Sequence, residues 1–260
     1  MFYWLDMLTQ HPIEFLSLML FRAPAVLLAL MLHECAHGYV AYKCGDPTAK
    51  MLGRLSLNPL KHLDPIGTIL MFLVGFGWAK PVPVNPRNFG NYKRDTIMVS
   101  LAGIIVNLTL FLLSTAIMVS LNSLLWKPQY AAYYSNLQLL GFGSSSNVLT
   151  WPVLDGSMNE FFKTPWLQYI YYFLMQFSIV NIGLGVFNLI PVPPLDGYRV
   201  VGSLFTKNGK SFLPQNYERI GMGIMMLICL TTNVVGNVMS AVTTAVQSGV
   251  IQLFTMIAGG

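Results

Sequence analysis

His33, Glu34 and His37 are the residues of this chain best suited to chemistry, in the run His33-Glu34-Cys35-Ala36-His37. Positions i and i+4 of a helix share a face, so both imidazoles can reach one metal ion. The glutamate beside the first histidine can then act as general base toward a water on that ion, and zinc suits such a ligand set. The surroundings sharpen this reading. The three residues fall inside a long apolar segment, where ionisable groups are costly and mark function. The plainer alternative is a helix whose histidines only hydrogen-bond within a polar core.

Positioning such residues requires a membrane scaffold. The 260 residues are 54% hydrophobic and 10% charged, against about 25% charged in soluble domains. The net charge of +5 comes from basic residues in loops beside apolar runs. That pattern sets membrane orientation and does not point to nucleic acid. Cys35, Cys44 and Cys229 have no paired spacing, so neither a disulfide framework nor a thiolate zinc site is expected. The N-terminus lacks the positive region of a signal peptide. One membrane domain over residues 1–260 is the simplest organisation, with a catalytic core over about 12–205 and C-terminal helices over 217–258.

Helical pattern runs from Pro12 to about Lys43 and stops at Gly45-Asp46-Pro47. At 1.5 Å per residue, that length of about 48 Å crosses a bilayer. Further spans are predicted over 97–121 and 166–190. Residues 220–257 fit one span or two, a C-terminal helix or a helical hairpin. The apolar run 66–78 is too short to span as a helix and suits a re-entrant segment. In Ala79-Lys80-Pro81-Val82-Pro83-Val84-Asn85-Pro86 the prolines forbid helix and favour an extended, β-like course. If 64–95 does not cross, eight basic residues (43, 50, 54, 61, 80, 87, 93, 94) and four more (199, 207, 210, 219) share one side, and only Lys127 and Lys163 lie on the other. By the positive-inside rule, the His33/His37 end of the first span faces the cytoplasm.

A metal held by two histidines needs a third protein ligand. Asp196 is the candidate, because Pro191, Pro193 and Pro194 break the third span just before it. An Asp before Gly197 after a proline run is also a helix N-cap, and residue logic leaves both uses open. His62 beside Asp64 is a loop histidine that could approach the metal or simply be polar structure. Gln176, Ser178 and Asn181 suit interhelical hydrogen bonds.

These motifs together resemble the site-2 proteases, which are intramembrane zinc metallopeptidases. The resemblance rests on His33-Glu34-x-x-His37 and on Asn188-x-x-Pro191-x-x-x-x-Asp196-Gly197. It rests also on Asn58-Pro59, His62-Leu63-Asp64-Pro65 and the 79–86 segment, and it covers residues 25–205. It implies an all-α polytopic membrane fold with a three-helix catalytic core: the His33/His37 helix, the Asn107 helix and the Asn188/Asp196 helix. It implies one zinc on His33, His37 and Asp196, Glu34 as catalytic base, and Asn188 holding substrate or polarising the oxyanion. The chain departs from the family at Ala102-Gly103-Ile104-Ile105-Val106-Asn107, where a Pro often follows the Gly. There is no room for a PDZ or nucleotide-sensing module, so a minimal bacterial or archaeal form is expected.

The function expected is hydrolysis of peptide bonds in or near transmembrane segments, that is, regulated intramembrane proteolysis. Its partners are a transmembrane protein or peptide substrate and the lipid bilayer, with a homo-oligomer allowed and no nucleic acid. A helical substrate must unwind first, and Val82, Val84 and Asn85 could pair with the unwound strand. The same segment could instead be a rigid plug. Asn107 and His62 complete the substrate-binding candidates. The alternative function is a membrane zinc-binding or transport protein without protease activity; transporters usually carry internal repeats and several intramembrane carboxylates, which this chain lacks.

Overall fold

The computed structural model describes residues 3–74, 78–130, 154–205, 221 and 234–257. Residues 141–147 and 206–219 lie outside the described residues, as do Thr231, Thr232 and Asn233, the first polar interruption of the apolar run 220–257; at the second, Gly236-Asn237, the sequence suggests a break but the helix continues unbroken. The elements in chain order are α1 (Tyr3–Gln10), α2 (Pro12–Lys43), α3 (Thr48–Met51), α4 (Pro65–Val74), α5 (Tyr92–Leu125), α6 (Leu167–Leu189), α7 (Asp196–Phe205) and α8 (Val234–Ile257). Short 3-10 turns sit at Pro59–Lys61, Pro86–Asn88 and Asn159–Phe161. The fold is all-α, and α2, α5 and α6 are long and apolar enough to cross a membrane.

α2 starts with Pro12 in its first turn, where a missing N–H costs nothing, and it continues through Pro24 to Lys43. α5 is longer than the apolar run alone suggests. The Asn91 side chain caps it by accepting from the Arg94 N–H, which draws polar residues 92–96 into the helix. α2, α5 and α6 pack on one another, and α7 packs on α5 and α6. These form the expected three-helix core. α8 packs on α6 and α5; within 220–257 the described residues are 221 and this helix.

The sequence of each core helix explains how they meet. α2 buries Phe21, Ala25, Ala29, His33, His37 and Ala41, all four residues apart. The two alanines let α6 approach with Phe177 and Val180. Lipophilic side chains then give way to histidine on the same stripe. α5 buries Val99, Gly103, Asn107, Phe111 and Thr115 at the same spacing. Away from the metal end, Phe21, Met118, Trp126, Phe162, Tyr171, Tyr172 and Met175 close the bundle. Large apolar residues such as Leu16, Leu20, Ile105, Leu113 and Ile117 stand exposed on the outer faces, as lipid-facing helices require. Of the expected interhelical hydrogen bonders, Ser178 meets Thr115 at 2.9 Å. Asn181 instead donates to Phe177 O in its own helix, at 2.8 Å.

The segment between α2 and α5 returns on itself. Leu63 pairs antiparallel with Ala79, and Lys80 N donates to His62 O at 2.8 Å. The two ends of 64–78 are therefore side by side. The ten residues of α4 span about 15 Å, too little to cross. Gly67 makes the return possible: a Cβ there would lie 2.3 Å from Trp78 O. This fits the expected re-entrant course, followed by an extended strap over residues 79–85.

Candidate metal centre

Two helices deliver the three candidate ligands. His33 and His37 come from consecutive turns of α2, and Asp196 is the first residue of α7. His33 Nε2 stands 3.0 Å from His37 Nε2. Asp196 Oδ2 is 3.2 Å from His33 Nε2 and 3.1 Å from His37 Nε2. All three residues are buried. Among the described residues this is the group of His, Cys, Asp and Glu that could hold a metal ion.

The donor chemistry fits zinc. His37 Nδ1 faces the Val99 carbonyl at 2.7 Å. A carbonyl only accepts, so Nδ1 must donate and Nε2 presents a lone pair to the centre. His33 Nε2 and a carboxylate oxygen converge on the same point, and such a cluster is stable around a cation. Tetrahedral zinc with bonds of about 2.0–2.1 Å holds its ligand atoms roughly 3.3–3.4 Å apart. The observed 3.0–3.2 Å lies close to that spacing. The Val99 bond also orients the ring, as partners of metal-bound histidines do. His33 Nδ1 is buried with no such partner among the described residues.

Of the two uses the sequence left open for Asp196, the geometry supports the metal ligand, and no side-chain cap bond to the α7 backbone is seen among the described residues. It begins α7, and its carboxylate faces the two histidines. The next residue must be glycine, because a Cβ at 197 would lie 2.3 Å from Leu189 O. That contact brings the start of α7 against the end of α6, which aims Asp196 inward. Gly103 is a residue whose role the sequence did not reveal. A Cβ there would stand 2.5 Å from His33 Cε1 and 2.6 Å from both Nε2 atoms. The α5 backbone thus forms one wall of the centre, and a side chain there would press into the ligand rings.

Glu34 is half-buried, and its Oε2 accepts from Val82 N at 2.8 Å. The strap is pinned around that bond. Arg54 Nη2 donates to Lys80 O at 2.8 Å, and Asp46 Oδ2 accepts from Asn85 N at 2.7 Å. Asp46 Oδ1 accepts from Asn88 Nδ2 at 2.8 Å and from Thr48 N at 3.1 Å, and it also takes the Thr48 hydroxyl. Burial pushes the Asp46 carboxyl up, but the bonds from Thr48, Asn85 and Asn88 outweigh it and hold the group below the usual range. The sequence marked Asp46 only as part of a helix stop; nothing local announces partners 39 and 42 residues away.

The remaining candidates fall in different places. Asn188 is half-buried and donates from Nδ2 to Leu184 O at 3.0 Å. Asn107, one turn beyond Gly103, is fully buried between α5 and α6, with neither amide atom bonded among the described residues. His62 lies outside the metal group: it is buried, with Nε2 2.8 Å from Ser56 O and 3.7 Å from Cys35 Sγ. Val82 and Asn85 use their N–H groups on Glu34 and Asp46, so that of these three strap candidates Val84 is the donor without a partner among the described residues.

Comparison with known proteins agrees with this geometry. The model of Peptidase family M50 matches residues 21–232. A Bacillus subtilis (strain 168) protein named as a candidate zinc metalloprotease, YwhC, is 35% identical over 242 residues, covering 93% of this chain and 94% of that protein. Rip2 of Mycolicibacterium smegmatis, named in the same way, is 29% identical over 162 residues, 59% of this chain and 61% of Rip2. Rip2 of Mycobacterium tuberculosis (strain H37Rv) matches at the same identity over the same length. No solved structure matches the chain.

Proposed function

The chain belongs to peptidase family M50 and is a membrane-embedded zinc metallopeptidase, and on that premise we propose that it cleaves peptide bonds in or beside the membrane-spanning segments of other proteins. In this reading His33, His37 and Asp196 hold one zinc ion and Glu34 is the catalytic base. The observation that carries it is the convergence of three ligand atoms within 3.2 Å of one another, one residue from a carboxylate. The alternative of a zinc-binding or transport protein without protease activity gives way to the family membership.

Zinc bound here would polarise the scissile carbonyl and lower the pKa of a water on it toward about 7. The protein supplies the rest. Glu34 Oε2 is occupied by the Val82 N–H, so Oε1 is the oxygen free to take a proton from the attacking water. The same oxygen then returns the proton to the leaving amine. The Val82 bond fixes the carboxylate so that the lone pair does not have to be reoriented during the reaction. Asn188 has a second amide N–H beyond the one given to Leu184. That hydrogen would serve the oxyanion, a contribution of about 3 kcal/mol where one such donor is removed from other enzymes.

Substrate must reach this centre unwound. Pairing with an extended strand falls to Val84 N–H and the neighbouring carbonyls, because Val82 and Asn85 have committed their donors. The charge bias of the sequence supports a site opening toward the cytoplasm. A direct test uses purified protein in nanodiscs with a single-span substrate, and mass spectrometry to map the cleaved bond. Wild type should cut within the span or a few residues from it, and Glu34→Gln should not. Cleavage confined to soluble peptides, with the span left intact, contradicts the reading.

A further inference from the structure

The loop after α2 has a surface that catalysis does not use. An apolar groove of about 710 Å³ lies between α2 and α5, lined by Leu32, Ala36, Met98 and Ile105, and by Leu55 and Leu57 of this loop. Both helices are of membrane-crossing length and apolarity, and Leu57 lines the groove between them. Met51, Leu52, Leu57 and Leu60 are 79, 63, 72 and 73% exposed. A soluble face would not display four large apolar side chains within ten residues without a partner.

The charges around them are of one sign. Residues 50–61 contain Lys50, Arg54 and Lys61 and no acidic residue. Lys50 Nζ donates to Tyr42 Oη at 2.9 Å, and Lys61 Nζ to Gly53 O at 3.1 Å. Each ammonium has three donors and commits one, so two hydrogens on each remain for a ligand. Apolar tips between exposed cations form the pattern of a segment lying in the headgroup region of an anionic bilayer.

We propose that residues 50–61 are a membrane-surface docking element. Met51, Leu52, Leu57 and Leu60 enter the boundary between headgroups and acyl chains, and Lys50 and Lys61 bind the phosphates of anionic phospholipids. Arg54 reaches the other way, to Lys80 O at 2.8 Å. The docked loop therefore also braces the strap that holds Glu34, tying the height of the active site to the bilayer surface.

The test reads depth and does not depend on activity. A dansyl side chain is introduced as a non-canonical amino acid at Leu57, at Leu60 or, as an exposed reference, at Arg87. Each full-length protein is placed in nanodiscs of phosphatidylcholine alone or with 30% phosphatidylglycerol, with and without brominated acyl chains. Zinc content checks that each labelled protein is intact. Quenching at 57 and 60 should exceed that at 87 at least twofold and rise with phosphatidylglycerol. The K50Q/K61Q double variant should lose that rise, since each cation near such a surface changes affinity about fivefold. Quenching at 57 and 60 no greater than at 87 overturns the immersion. Strong quenching that is the same in both lipids, and unchanged in the double variant, overturns the headgroup assignment.

Discussion

Gly103→Ala tests the architecture of the centre with a single methyl group. The added Cβ would lie 2.5 Å from His33 Cε1 and 2.6 Å from Nε2 of His33 and of His37. Unstrained contacts between such atoms begin near 3.5 Å, so the overlap is about 1 Å on two rings at once. Neither ring can simply turn away. His37 is anchored to Val99 O at 2.7 Å, and both rings must face Asp196. Overpacking of this kind costs about 1–3 kcal/mol, and the better helix propensity of alanine returns about 1 kcal/mol. The fold should therefore survive with a loss of up to about 2 kcal/mol. The metal should not fare as well, because displaced ligand rings weaken zinc binding by roughly 10–100-fold, the range seen when groups orienting a ligand are lost. The assay is zinc competition against a chelator series, with Gly183→Ala as the matched control. Gly183 lies on α6 with nothing within 4 Å of a built Cβ, so its variant should bind zinc as wild type does. If Gly103→Ala bound zinc with wild-type affinity, the placement of the α5 backbone against the ligands would be wrong.

Asp46→Asn should lower stability and remove an acid-sensitive component of it. The Asp46 carboxyl is depressed in the folded protein, so its contribution is present above the unfolded value of about 3.9 and is lost as pH falls through the folded value. Unfolding of wild type and variant followed from pH 7 to pH 3 should show the difference between them shrinking only below about pH 4. Asp46→Ala should also loosen the strap, read as faster amide exchange at Val82 and Asn85. Thr115→Val removes the hydroxyl partner of Ser178 and should cost only about 0.6 kcal/mol, typical of interhelical bonds in membranes. A loss above about 2 kcal/mol in a detergent unfolding assay would mean that the pair does more than join two helices.

The fold was legible wherever the pattern was local. The bounds of α2 follow from Pro12 and from the Gly45-Asp46-Pro47 stop, and the structure places the helix over Pro12–Lys43. α5 overran its apolar run because its first turn is held by the Asn91 cap, which hydropathy does not register. The i,i+4 histidines announced themselves, as did the proline break before Asp196. Gly103 did not, because a glycine in a membrane helix looks like any small residue until a second helix stands against it. The Val82–Glu34 and Asn85–Asp46 bonds span 48 and 39 residues, and no periodicity encodes them. His62 is similar: its partners Ser56 and Cys35 become visible only when the loop is folded onto α2.

In the proposed mechanism His33, His37 and Asp196 bind zinc, and Glu34 acts on it without holding it. The most direct measurement is zinc content by mass spectrometry beside cleavage of a single-span substrate, for wild type, Glu34→Gln, His33→Ala and Asp196→Ala. The expected outcome is about one zinc per chain in wild type and in Glu34→Gln, little in the two ligand variants, and cleavage by wild type alone. Full zinc in Asp196→Ala, or cleavage by Glu34→Gln, would contradict it.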